Sequence, residues 1–462
     1  MLKTLVNAWK IKDIRTKIIY TLILILIYRL GSFIPVPNVN AAAIAKAADQ
    51  YDMLQFLNLL AGGAFGSFSI FAMGISPYIT GSIIINLLVI AIPALEKLQK
   101  EEDGRQKIEK ITRYVGIGLA LVQSIGIIFS LQSSGMADAE GNPVLRNDSV
   151  LAYITIGIIC TAGTAFLVWM GERITEKGIG NGISFIIFAG ICAQVPNAVI
   201  KLFQGAINPQ PGVNITYWWQ FPLMAAIVFI LVGGVTVVER AERRIPVQYA
   251  KRVVGRKLYG GQSTHIPLKA NANGVMPLIF AMTILQFPSM IMQMVDAGGL
   301  KLITDTLRTG GREAALALAT GASTGLGWFT KFYTLHMSSG TVVYYIIYSL
   351  LILAFAYFYS SISFNPIEIS KNLQQNGGFI PGIRPGKPTS DHIGRISNRL
   401  TLFGAVFLMV IAVVPTVIMG TMDNMSSPFG PTSILIMVSV ALETSTQLES
   451  LMLMRHYKGF LG

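Results

Sequence analysis

The chain has 462 residues, of which 52% are hydrophobic and only 13% charged, with a mean hydropathy of +0.57. Soluble domains carry about 25% charged residues, so a water-facing surface for a chain this long is excluded and a multi-spanning membrane protein is implied. Cys160 and Cys192 both lie inside apolar runs, which excludes a disulfide framework, and the formal charge of +13 takes its meaning from where it falls.

Residues 1–17 carry Leu2, Leu5, Val6 and Trp9 at helical spacing among lysines, which predicts an interfacial amphipathic helix on the cytoplasmic side. No small-residue cleavage site follows the first apolar run, so a removable signal peptide is not expected. Ten apolar runs then follow, each near the length of about 20 residues that crosses a hydrocarbon core of about 30 Å. They are 18–34, 70–92, 114–131, 151–170, 183–200, 218–238, 275–295, 341–362, 400–419 and 432–453. Lysine and arginine split 27 to 7 between the two sides of these spans, with Arg29 and Arg399 in or at the edge of spans. The richer side holds both termini, and the positive-inside bias makes it cytoplasmic. Ten spans divide into two sets of five, and an odd number per half forces opposite orientations, an inverted repeat. The expected division is 1–17, then halves of 18–203 and 204–453, then a cytoplasmic tail of 454–462.

The second span is unusual. Residues 61–69 are mostly glycine, alanine and serine, and Gly74 and Pro77 follow. Such a stretch breaks a helix, and its freed backbone groups must face protein or water rather than lipid; close helix packing through the glycines is the plainer alternative. Ile75, Ile79 and Ile83 then recur at helical spacing, a stripe that alone implies only packing. Asn86, Gln123 and Asn273 sit in or at the edge of apolar spans, where an unpaired amide is costly. They suit either interhelical hydrogen bonds or a contact that breaks and re-forms.

Other signals point away from chemistry. Arg29, Glu443 and Glu449 are the main ionisable candidates within spans; with the last span stopping near Leu442, all three sit towards span ends, where snorkelling suffices for the arginine. His265, His336, His392 and His456 are scattered over loops and tail, so no metal site is expected. Residues 321–325 match G-x-S-x-G but lie in a loop of small residues rather than on a strand-to-helix turn. Residues 178–182, Gly-Ile-Gly-Asn-Gly, follow no strand and lack the dinucleotide-binding spacing. No phosphate-binding loop of the nucleotide hydrolases occurs, so a partner must supply any energy. Two basic loops stand out on the cytoplasmic side, 239–270 with Arg243 and Arg244, and 376–391 with Arg384 between Ile383 and Pro385. They suit topology enforcement, anionic lipid or a docking partner.

Four stretches in order, 74–86 (GISPYITGSIIIN), 178–184 (GIGNGIS), 262–269 (QSTHIPLK) and 379–386 (FIPGIRPG), resemble the SecY family, the central channel subunit of the Sec protein translocase. The resemblance implies an all-α clamshell of ten transmembrane helices in two inverted five-helix halves. It implies a pore ring of Ile75, Ile79, Ile187, Ile279 and Ile436, and a plug around 62–71 that includes Gly62, Gly63, Phe65, Gly66, Ser67 and Phe68. A lateral gate is implied between spans two and three on one side and seven and eight on the other. Asn86 and Gln123 match its polar positions, Asn86 standing where many members carry glutamine. Arg384, Arg243 and Arg244 match loop positions used by cytoplasmic partners. The implied partners are the small membrane subunits SecE and SecG, the SecA motor ATPase, the ribosome, signal peptides with their unfolded preproteins, and the lipid bilayer. The implied protein is a non-enzymatic channel of the plasma membrane with no cofactor, and its external loop 296–340 is longer than in many relatives.

The physics agrees with that expectation. A conduit for arbitrary unfolded chains cannot grip any one side chain, and an aliphatic waist gates ions by dewetting. A sideways opening lets lipid sort the passing segment: a central leucine favours the membrane by about 0.3–0.6 kcal/mol and a central charge opposes it by about 2.5–3.5. The rivals are a secondary transporter, which needs coordinating groups at mid-membrane, and an intramembrane protease, which needs a catalytic pair there.

Overall fold

A computed structural model of the chain describes residues 8–50, 52–101, 103–133, 141–207, 220–249, 252–254, 257–259, 263–271, 274–295, 341–421 and 431–458. The helices are α1 Lys12–Gly31, α2 Ala41–Gln50, α3 Asp52–Leu60, α4 Ser76–Ala91, α5 Pro93–Lys100, α6 Gly104–Ser133, α7 Val150–Lys177, α8 Gly182–Ile207 and α9 Gln220–Arg240. After a stretch of strands come α10 Met276–Val295, α11 Val342–Ser363, α12 Pro366–Gln375, α13 Lys387–Thr421 and α14 Pro431–Lys458. Each of the ten predicted spans falls on one of these helices.

By length and composition alone, five described helices pass as full membrane spans, and six if the bent pair α4–α5 counts as one. α8 and α10 carry shorter apolar stretches, Gly182–Pro196 and Met276–Leu285. The reason such helices form is plain in α11. Val342, Ile346 and Leu350 are exposed one turn apart, while Tyr348, Ile352, Phe355 and Ala356 are buried on the other face. A helix apolar all round has no water-facing side and belongs in lipid.

Two details depart from the sequence expectation. The apolar run 70–92 is helical only from Ser76, because Gly74 sits at φ 56° and Pro77 occupies the first turn. That run also ends in a bend of 105° between α4 and α5 at Ile92–Pro93. Ahead of the first span, residues 8–10 are helical, Ile11 breaks the helix in an extended conformation before α1 starts at Lys12, and Ala8 packs with Ile14, Ile179 and Leu448.

The basic loop 239–270 is the largest addition to the helical plan, because it folds into strands. β1 Glu242–Tyr249 is the middle strand of an antiparallel sheet ordered β4–β1–β5, with β4 Ser263–Lys269 and β5 Gly378–Phe379. The register pairs Ile245 with Ile266 and Gln248 with Phe379. β2 Arg252–Val254 and β3 Lys257–Tyr259 form a separate hairpin. Along β1, Ile245 and Val247 point inward and Arg244 and Pro246 outward. The inward pair packs on Leu268, Leu373, Ile380 and Ile393, so the sheet seals its own small core against α12 and the start of α13.

The chain forms two compact units. The first holds 1–208, 283–344 and 440–462, and the second holds 209–282 and 345–439.

Candidate functional site

In the first unit, the turn-rich stretch 61–75 is enclosed rather than draped over a surface. Phe65, Phe68, Phe71 and Ile75 are each at most 3% exposed. Gly62 has φ 65° and Gly63 φ 89°, left-handed conformations that L side chains resist. At Gly62 a methyl group would also lie 2.5 Å from the Cα of Gly190, so backbone meets backbone there. Phe68 adopts φ 41° without glycine's freedom, which stores about 1–3 kcal/mol of backbone strain.

Neighbouring segments hold this stretch through its main chain. The Val36 N–H donates to the Phe68 carbonyl at 2.9 Å, and the Ile70 N–H to the Ile34 carbonyl at 3.0 Å. The Ser67 hydroxyl donates to the Ser32 carbonyl at 3.3 Å, and the Thr164 hydroxyl on α7 to the Gly74 carbonyl at 3.2 Å. At its entrance, the Tyr28 hydroxyl donates to the Ala61 carbonyl and Arg29 Nη1 to the Gly62 carbonyl, both at 2.9 Å. Gln194 Nε2 on α8 donates to the Asn58 carbonyl at 3.0 Å. Sequence reasoning missed Tyr28, Arg29, Thr164 and Gln194, because their acceptors are main-chain carbonyls that every residue carries. The one available signal was an arginine inside an apolar run.

The five isoleucines expected at the waist are all buried. Ile75 (2% exposed), Ile79 (8%) and Ile187 (4%) lie in the first unit, on the N-cap and first turn of α4 and the second turn of α8. Ile279 (5%) and Ile436 (2%) lie in the second unit, in the first turns of α10 and α14. None offers a hydrogen-bonding side chain.

Spans two and three, α4 and α6, pack without side chains between them at one point. A methyl on Gly81 would stand 3.0 Å from the Gly116 nitrogen, and one on Gly116 would stand 2.9 Å from the Tyr78 Cα. Close approach of this kind is how membrane helices bind each other when lipid is as apolar as their side chains. Asn86 on α4 makes only a long contact, Nδ2 to Ser82 Oγ at 3.4 Å, whereas Gln123 on α6 is 9% exposed. Asn273 lies outside the described residues.

The expected docking arginines are all exposed. Arg243 and Arg244 project from β1, Arg244 pairing with Glu242 at 2.6 Å. Arg384 lies in the turn between β5 and α13. Thr389 Oγ1 donates to the Arg384 carbonyl at 2.8 Å, and Ser370 Oγ to the Gly386 carbonyl at 2.7 Å. The turn's backbone is therefore fixed while the guanidinium stays in solvent. Glu239, at the end of α9, is a node not foreseen from sequence: its Oε1 accepts from Asn271 Nδ2 at 2.9 Å and from Ser439 Oγ at 3.1 Å. One carboxylate thus ties α9 to the turn leading into α10 and to α14, the helices that bear Ile279 and Ile436. At the α5–α6 elbow of the first unit, Lys107 Nζ donates to Glu101 at 2.8 Å, which raises the lysine's pKa.

The glycine-rich stretch 178–182 is a tight interhelical turn. Asn181 caps α8 by accepting from the Ile183 and Ser184 N–H groups, and Thr175 accepts from the Gly182 N–H. Its polar groups are consumed in the fold, which leaves no cradle for a phosphate. Among the described residues, a groove of about 500 Å³ between α1 and α7 is lined by Ile27, Leu30, Ile70, Phe71, Ile159 and Phe166, with no charged side chain.

Comparison with known proteins assigns this arrangement. The SecY family model matches residues 69–445. The protein translocase subunit SecY of Mycobacterium tuberculosis is 38% identical over 474 residues, and that of Corynebacterium glutamicum 40% over 471, each alignment covering both chains completely. A solved SecY structure, whose plug domain is described as stabilising the closed state of its translocation channel, superposes with a TM-score of 0.58 at 19% identity, covering 95% of this chain and 92% of that one. At that identity the likeness is one of fold, and the full-length sequence relatives carry the assignment: this chain belongs to the SecY family, the channel subunits of protein translocases.

Proposed function

We propose that this chain is the protein-conducting channel of a general secretory pathway, passing unfolded preproteins across the membrane and releasing hydrophobic segments sideways into lipid. The full-length identity of 38–40% to translocase subunits carries the reading. The chemistry of the buried set supports it. Ile75, Ile79, Ile187, Ile279 and Ile436 form the ring: they bind nothing, so any polymer passes, and they hold back hydrated ions by refusing to solvate them. Residues 62–71 are the plug that closes the path at rest. Halves 18–203 and 204–453 are the inverted repeats, and the lateral gate lies between spans two and three and spans seven and eight. The pair α4–α6 moves as one jaw because its glycine contact leaves no room for independent sliding, and Asn86 and Gln123 are its polar contacts.

The chain works as a passive conduit and not as an enzyme. SecA or a translating ribosome drives the polypeptide, and the exposed Arg243, Arg244 and Arg384 form the docking surface. SecE and SecG complete the membrane complex. The basic loops and both termini face the cytoplasm, and the membrane is the plasma membrane. The decisive experiment stalls a secretory chain in the channel and tests crosslinking to a cysteine placed at Ile187 or Ile279. Efficient adducts at both positions are expected, and adducts at neither would remove the conduit from this part of the molecule.

A further inference from the structure

A guanidinium inside an apolar span is costly unless it has a partner, and in and just beyond α1 the residues around Arg29 include Leu26, Leu30 and Phe33, exposed by 59%, 61% and 73%. Arg29 does not simply reach for water. Its Nη1 bonds the Gly62 carbonyl at 2.9 Å, and its charge lies 5.8 Å from the Tyr28 ring centre and 5.7 Å from that of Phe33. The acceptor matters as much as the donor. Helix α3 ends at Leu60, and the Gly62 carbonyl stands two residues beyond it, close to the negative end of the helix dipole, which favours a nearby cation. Three side chains from two different spans supply donors there: Gln194 to Asn58, Tyr28 to Ala61 and Arg29 to Gly62. Immediately beyond, Gly62 and Gly63 bend the chain into the strained, enclosed stretch that ends at the second bend, Gly74. The cation is thus placed where the stretch leaves its helix, bonded to the first carbonyl of the bend.

From this arrangement we infer that Arg29 is a positioning residue for the closed channel, fastening the entrance of the plug at the Gly62 carbonyl just beyond the end of α3, with Tyr28 and Gln194 as auxiliary fasteners. The inference rests on reading residues 62–71 as the plug. It gives the arginine a role in the resting seal that span-end snorkelling would not.

The test uses the assembled complex, with its small membrane subunits, in proteoliposomes loaded with a halide-sensitive dye. Resting iodide flux is measured for the parent, Arg29→Gln, Tyr28→Phe, a deletion of 62–71, and each substitution combined with the deletion. Loss of a charge-assisted bond is expected to raise resting flux about tenfold in Arg29→Gln, with a smaller rise in Tyr28→Phe, which removes one hydroxyl and keeps the ring. In the deleted background neither substitution should add to the leak. A second readout follows the plug itself: with Cys160 and Cys192 replaced by alanine, a cysteine at the exposed Ser67 should react faster with a maleimide when Arg29 is glutamine. A leaking deletion beside a tight Arg29→Gln and an unchanged Ser67→Cys rate overturns the fastening while leaving the plug reading in place. Extra leak from Arg29→Gln in the deleted background also overturns it, since the residue would then act elsewhere. A tight deletion overturns the plug reading itself. Should Arg29→Gln fail to assemble, Tyr28→Phe carries the same comparison, and flux equal to the parent would sink the inference.

Discussion

Ile79 is 8% exposed and has only carbon to offer its surroundings. Replacing it with asparagine puts an amide where nothing was arranged to receive one, at a cost of about 1–3 kcal/mol to the packed closed state. Ile79→Asn is therefore expected to loosen the seal and let chains with defective signal peptides through, measured as the export of such a preprotein against one with an intact signal. Unchanged stringency would take Ile79 out of the ring. Arg384 presents the opposite case. Its backbone is held by Thr389 while its side chain is in solvent, so Arg384→Glu should alter stability by no more than about 0.5 kcal/mol. Motor-driven transport into inverted vesicles should nevertheless slow markedly, because the substitution reverses a charge on the proposed docking face. Normal kinetics would exclude Arg384 from that face. The five ring isoleucines and the arginines were nameable from sequence only through family resemblance; an isoleucine stripe by itself says no more than packing. The partners of Arg29, Tyr28 and Gln194 were invisible at that level, since a carbonyl has no signature in a sequence.

Helices α4 and α6 meet through Gly81 and Gly116 with almost no clearance. Gly116→Leu must push Tyr78 and the α4 backbone away, and overpacking of this kind costs about 1–3 kcal/mol. The variant complex should unfold at a lower temperature in a melting assay, and a melting point equal to the parent's would mean that the pair yields easily and is not a rigid jaw. At this scale the sequence was readable where a rule of length applied. Runs of about twenty apolar residues marked every span, and Gly74 with Pro77 marked the break before α4. It was unreadable where pairing was remote. β1 alternates only over Ile245–Val247, includes Pro246 and is flanked by arginines, and β5 lies more than a hundred residues further along. No local pattern announces a sheet assembled from two separate loops. The 178–182 glycines illustrate the converse: a glycine-rich run that lacks the spacing of a dinucleotide site proves to be a tight turn between α7 and α8.

Across the whole molecule, the 27-to-7 division of lysine and arginine is the boldest statement the sequence makes about orientation. It predicts that green fluorescent protein fused after residue 462 fluoresces and that a periplasm-dependent phosphatase fused there stays inactive; the reverse pattern would invert the molecule and move Arg243, Arg244 and Arg384 to the wrong side. The fold as a whole was legible because membrane chemistry permits few solutions, helices or closed barrels. What was not legible was how the connecting segments fold once outside lipid, since there water satisfies loose backbone and sequence rules weaken.

The sheet order β4–β1–β5 has a consequence for biogenesis. As the polypeptide lengthens, β1 and β4 can zip together as soon as residue 269 is made, but the second edge of β1 at Gln248 and Tyr249 stays bare until residues 378 and 379 arrive, after α10 and α11 have been made. A nascent molecule halted in that interval carries an open strand edge, the feature by which unfinished chains recruit strangers. Late synthesis of a two-residue strand thus leaves the sheet one pairing short until both loops exist.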